Sequence, residues 1–112
     1  MIEFEKLVEI VAQEFKVDPA LMMCQTRLME YVRPRWLAMT IYSEVHSLNY
    51  TAKKFGKNSH QTVMHGRQKT RLLCENNPEY LAHAIAVMKK VKELSCYPSE
   101  NIQIDPANTA TP

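Results

Sequence analysis

Apolar residues recur along this chain at helical rather than strand spacing. Phe4, Leu7, Val8, Val11 and Phe15 fall on one stripe and predict a first helix over roughly 3–16. Asp18-Pro19 supplies a cap residue followed by a proline at the first helical position, opening a short second helix through Met22. Residues 24–32 read as a connection. Arg33-Pro34 opens a third helix to about His46, with Leu37, Ile41 and Val45 inward and Trp36 and Met39 widening the buried face.

Two short elements follow. Ser47 caps a two-turn helix from Leu48 to Phe55, and Gly56 stands where a helix ends on a left-handed residue. Asn58 or Ser59 caps the next helix, which runs to about Cys74 with Val63, Thr70 and Leu73 inward. Asn77-Pro78 opens a last helix to Leu94, striped by Leu81, Ile85, Met88 and Val91. From Tyr97 the run Y-P-S-E-N-I-Q-I-D-P-A-N-T-A-T-P has three prolines and no period, so a helical domain over 1–96 and a flexible polar tail over 97–112 are expected. The fold class is all-α with about six helices. Only two glycines in 112 residues argue the same way, because a β sandwich or barrel needs a tight turn every ~8–12 residues.

Charge changes the picture once it is divided along the chain. The net +2 separates into −3 over residues 1–30, +7 over 31–73 and −2 over 74–112. The middle segment holds Arg33, Arg35, Lys53, Lys54, Lys57, Arg67, Lys69 and Arg71 against Glu44 alone, and three of the four histidines. An anionic partner belongs there, the plain alternative being a solvated basic face. Cys24, Cys74 and Cys96 are odd in number, far apart and without a C-x-x-C pair, so they read as reduced thiols of a cytoplasmic protein rather than a disulfide framework or a zinc site. The acidic, amphipathic N-terminus is not a targeting peptide. The charge-free run from Trp36 to Ser43 falls far short of the ~20 residues of a membrane span.

Two short helices joined at a glycine, the second polar at its start, form a helix-turn-helix pattern inside the basic segment. A helix N-terminus offers unpaired N–H groups to phosphate, and polar side chains on its first turns reach base edges in the major groove.

The residues that carry this pattern resemble a known family. S-L-N-Y-T-A-K-K-F-G-K-N-S-H-Q-T-V-M-H-G, residues 47–66, is similar to the signature of the C-terminal DNA-binding domain of the bacterial replication initiator DnaA, approximately S-L-x-x-I-G-x-x-F-G-G-R-D-H-T-T-V-x-H-A. Upstream, Y-V-R-P-R-W-L-A-M, residues 31–39, resembles that family's V-A-R-P-R-Q-x-A-M. The resemblance extends weakly over about 3–94, with one short deletion near His46. It implies a Trp repressor-like fold and double-stranded DNA as partner. By the same resemblance Ser59, His60 and Gln61 read bases in the major groove, and Arg27 enters the adjacent minor groove. Arg35 and Thr62 align with phosphate-contacting positions. Asn58 and Trp36 match positions near the backbone with changed residue types. Lys53, Lys54 and Lys57 around the turn add phosphate contacts.

The departures carry their own expectation. The family's aspartate is Ser59 here and its first threonine is Gln61. Aspartate accepts from cytosine N4 and a threonine methyl packs on thymine, whereas glutamine suits the N6/N7 edge of adenine. The docking mode is therefore expected to persist with a recognised sequence other than the family's box, in replication initiation or its regulation. No G-x-x-x-x-G-K-[ST] loop is present, so the chain reads as a stand-alone binder without nucleotide or other cofactor. No metal site is expected: His60 and His65 lie five residues apart, about 140° around a helix. No nucleophile setting or paired carboxylates support an enzyme. The rival reading is a helical protein-interaction module that retains the fold without the DNA. The sequence assigns no oligomeric state.

Overall fold

The computed structural model describes residues 3–24 and 26–95. Six helices follow one another: α1 (Phe4–Phe15), α2 (Pro19–Met23), α3 (Met29–Tyr42), α4 (Leu48–Lys54), α5 (His60–Asn76) and α6 (Pro78–Ser95). Among the described residues there is no strand. Cys96 and the expected tail over 97–112 lie outside them.

Local chemistry sets most boundaries. Asp18 Oδ1 accepts from Ala20 N at 2.8 Å and Pro19 takes the first position of α2. Ser47 Oγ accepts from Tyr50 N at 3.1 Å to start α4. At the end of α4, Gly56 adopts φ +70 while its N–H bonds Lys53 O and that of Lys57 bonds Ala52 O. This closes the helix in a Schellman turn. α1 ends in the same motif, but with Lys16 as the left-handed residue, φ 57.

Two expectations fail, each for a tertiary reason. The third helix begins at Met29, not Arg33, and ends at Tyr42, not His46. Pro34 therefore lies inside it, forgoing the bond to Glu30 O while its ring is wholly buried. Glu44, Val45 and His46 fold back onto Ile41 and Tyr42 in a turn, which leaves Val45 exposed. On α6 the buried stripe is Tyr80, Ala84, Val87 and the half-buried Val91, while Leu81, Ile85 and Met88 face outward. The Tyr80 hydroxyl donates to Arg33 O at 2.9 Å and His83 Nδ1 to the Glu14 carboxylate at 2.8 Å. Both bonds, with Phe15 packed on the Tyr80 and His83 rings, lie on the face that α6 buries.

α3 is the central element, packed on α1, α2 and α5. Leu7, Val11, Met22, Val63, Val87 and Met39 of α3 itself are wholly buried in the core, each burial worth about 1.5–3 kcal/mol. Phe4 meets Tyr42 and Phe55 edge-on, at 5.2 and 5.1 Å between ring centres, tying α1 to the α4–α5 turn.

Candidate nucleic-acid interface

α4, the Gly56 turn and α5 form the helix-turn-helix. Phe55 (3% exposed) anchors the turn and Val63 (fully buried) anchors the first turns of α5, so the segment between them is held from both ends. Ser59 is the N-cap of α5: its Oγ accepts from Gln61 N at 3.1 Å. The hydroxyl oxygen thus serves the helix, and the O–H remains as a donor toward solvent. His60 and Gln61 follow as the first two helical residues and both are exposed. Thr62 is half-buried behind them, and Asn58 is exposed ahead of them. The structure brings Asn58, Ser59, His60, Gln61 and Thr62 together on one capped helix start.

Beyond that tip α5 continues outward. Gln61, Met64, Gln68, Arg67 and Arg71, with Leu48 of α4, line an open groove of about 810 Å³. Met64 is 51% exposed. His65 also lines the groove, and its ring meets Trp36 edge to face at 5.8 Å. Arg67 Nη1 lies 3.5 Å from Ser43 Oγ at the end of α3.

The basic residues divide by direction. Lys53 and Lys54 close the last turn of α4, both exposed. Lys54 Nζ lies over the Phe4 and Tyr50 rings at 5.7 and 5.6 Å, toward α1. Lys57 is half-buried in the turn itself. Arg27 is exposed in the segment between α2 and α3.

Arg35, expected to contact phosphate, is held by backbone carbonyls of its own chain. Its side chain is buried in the joint between α2 and α3, only 7% exposed. Nε donates to Met22 O at 2.7 Å, and Nη2 to Cys24 O at 2.7 Å and Thr26 O at 3.3 Å. Burial lowers its pKa from the usual value, partly offset by Cys24, and the guanidinium stays charged. Among the described residues no carboxylate pairs with it. Its donors satisfy carbonyls left open where the five-residue α2 stops. The sequence does not show this, because an arginine directly after a proline carries no mark of the carbonyls it will meet.

Among the described residues no group of three or more His, Cys, Asp or Glu side chains is placed to hold a metal ion. No helix of the described residues is long and apolar enough to cross a membrane.

The chain is similar in sequence to known proteins. The profile of the family described as "Bacterial dnaA protein helix-turn-helix" matches residues 4–70. The chain is 35% identical over 91 residues to the "Chromosomal replication initiator protein DnaA" of Rickettsia canadensis (strain McKiel). The same identity over the same length holds for the proteins of that name from Rickettsia massiliae (strain Mtu5) and Rickettsia felis (strain ATCC VR-1525 / URRWXCal2). Each alignment covers 80% of this chain and 20% of the relative, so the chain spans about a fifth of the length of the curated relatives it matches.

Proposed function

This chain belongs to the bacterial DnaA helix-turn-helix family, and on that premise we propose that it binds double-stranded DNA, the start of α5 in the major groove and Arg27 in the adjacent minor groove. The observation that carries the reading is the exposed, capped first turn of α5, presented by a glycine turn within a segment of net charge +7. With Gln61 N and Thr62 N bonded to Ser59, the His60 N–H is the one of these first three left to meet a phosphate, and the exposed His60 and Gln61 are placed to reach base edges.

Base reading falls to Ser59, His60, Gln61 and Arg27. Gln61 favours adenine, and Ser59 offers a weakly discriminating hydroxyl donor, so the recognised sequence differs from the family's box. Phosphate contacts come from Lys53, Lys57, Asn58 and Thr62. Lys54 joins them by leaving an exposed cation–π contact worth about 0.5–1 kcal/mol. The process is replication initiation or its regulation, which the relatives' name supports. The chain acts as a binding protein rather than an enzyme, in the cytoplasm, where free thiols such as Cys24 and Cys74 stay reduced.

Selection of bound sequences from a random duplex pool tests the reading. A defined motif should be recovered, and His60→Ala and Gln61→Ala should alter it, while Lys57→Ala weakens all sequences alike. Uniform losses for all three would contradict the division of roles. The competing reading, a helical protein-interaction module, draws on the outward Leu81, Ile85 and Met88 of α6. Recovery of no sequence above background would favour it.

A further inference from the structure

The position of Arg27 relative to α5 is set by a short chain of contacts that runs through Arg35. Thr26, immediately before Arg27, gives its carbonyl to Arg35 Nη2 at 3.3 Å. Its own hydroxyl Oγ1 accepts from Leu28 N at 3.2 Å, immediately after Arg27. α3 begins at the next residue, with Tyr31 N and Val32 N bonded to Leu28 O. The backbone on both sides of Arg27 is thereby attached to α3. α3 in turn is packed on α5, with Trp36 and Met39 beside Gly66. Arg35 stands on α3 between these two attachments, one residue before Trp36.

We propose that Arg35 is a positioning residue: its buried guanidinium, bonded to the carbonyls of Met22, Cys24 and Thr26, holds the Arg27 segment in register with the recognition helix, so that one rigid body presents both parts of a two-groove site. The inference rests on the minor-groove role given to Arg27 above. The fork geometry matters more than the charge. A guanidinium donates along two directions in one plane, whereas a lysine ammonium is a point donor on a flexible stem. Arg35 therefore contributes to DNA affinity through Arg27 and not through a phosphate of its own.

The test is a set of binding titrations on duplex DNA with Arg27→Ala, Arg35→Lys, Arg35→Gln and the double variants, with thermal melts alongside. Arg27→Ala should weaken binding on the order of tenfold, the loss of one good base contact. Arg35→Lys and Arg35→Gln should each approach that loss in the wild-type background and add little in the Arg27→Ala background. A phosphate-binding Arg35 would instead be rescued by lysine, would add its loss to that of Arg27→Ala, and would take its own ~0.9 off the salt slope. Any of those three results overturns the proposal. Should the Arg35 variants not fold, Thr26→Val replaces them, since it removes only the bond to Leu28 N beside Arg27. It should weaken binding several-fold in the wild-type background and not in Arg27→Ala, and equal losses in both would refute the proposal. If Arg27→Ala alone leaves affinity unchanged, the minor-groove reading fails and the proposal with it; if Arg27→Ala weakens binding while Arg35→Lys does not, only the proposal fails.

Discussion

Gly66 on α5 lies against Trp36 on α3: a methyl group at its α-carbon would stand 3.1 Å from Trp36 Cδ1 and 3.2 Å from Met39 Sδ. The family's pattern has alanine and glutamine at these two positions. Here a larger side chain on α3 faces a missing one on α5, so the two departures compensate across the interface that seats the recognition helix.

Exchange at this contact depends on how far Trp36 and Met39 can give way. Alanine normally improves on a helix-interior glycine by about 1 kcal/mol. In this protein Gly66→Ala should show none of that gain, because Trp36 and the wholly buried Met39 must give way. In a Trp36→Gln background the gain should return. Urea denaturation of the four proteins measures the coupling, expected at about 1 kcal/mol or more; a coupling of zero would refute compensation.

Restoring the family's residues tests the origin of specificity. Ser59→Asp keeps an N-cap acceptor and supplies a partner for cytosine N4. Gln61→Thr replaces an adenine-reading amide with a methyl that suits thymine. The double variant should fold with unchanged melting temperature and shift its preference toward the family's box by tenfold or more, as about 1–3 kcal/mol per good contact implies. Competition titration between the two duplexes reads the shift, and an unmoved preference would place specificity elsewhere.

The face of α6 can be read from stability alone. Val87→Ala, at a fully buried site, should cost about 2 kcal/mol. Leu81→Gln, at a site 39% exposed, should stay within about 0.5 kcal/mol. The opposite order in chemical denaturation would restore the stripe expected from spacing.

Tyr80 makes stability fall at high pH. Burial pushes its pKa up to about 12 from the ordinary 10.0. The neutral phenol is favoured in the folded state, so its contribution is complete below about pH 10. It is lost as the unfolded chain ionises between about 10 and 12, for a total on the order of 2–3 kcal/mol. Tyr80→Phe loses the bond to Arg33 O and should be less stable at neutral pH, with a shallower decline across that window. Parallel slopes for the two proteins would show that other groups carry the effect.

What the sequence made legible was the chemistry that acts within a few residues. Asp18, Ser47 and Ser59 cap helices because their side chains meet N–H groups two or three positions on. Gly56 marks its turn because few other residues take φ +70 readily. The capped start of α5, and with it the candidate base-reading tip, belongs to this class. What spacing could not show depends on distant partners. On α6 two apolar stripes run one residue apart, and distant partners favour one of them: Tyr80 reaches Arg33, His83 reaches Glu14, and Phe15 packs on both rings. Pro34 suits the start of a helix, where its missing N–H is harmless. The true start lies earlier, at Met29, beside the joint where Arg35 binds carbonyls nine to thirteen residues away.

The central claim is that this helix-turn-helix holds duplex DNA, and the salt dependence of binding tests it most directly. Fluorescence anisotropy of a labelled duplex, titrated with the protein at several salt concentrations, should give saturable binding whose log K falls linearly with log salt. Contacts from Lys53, Lys54 and Lys57 set a slope of about −3 or steeper, at about −0.9 per phosphate. No binding at low salt, or a slope near zero, would contradict the account.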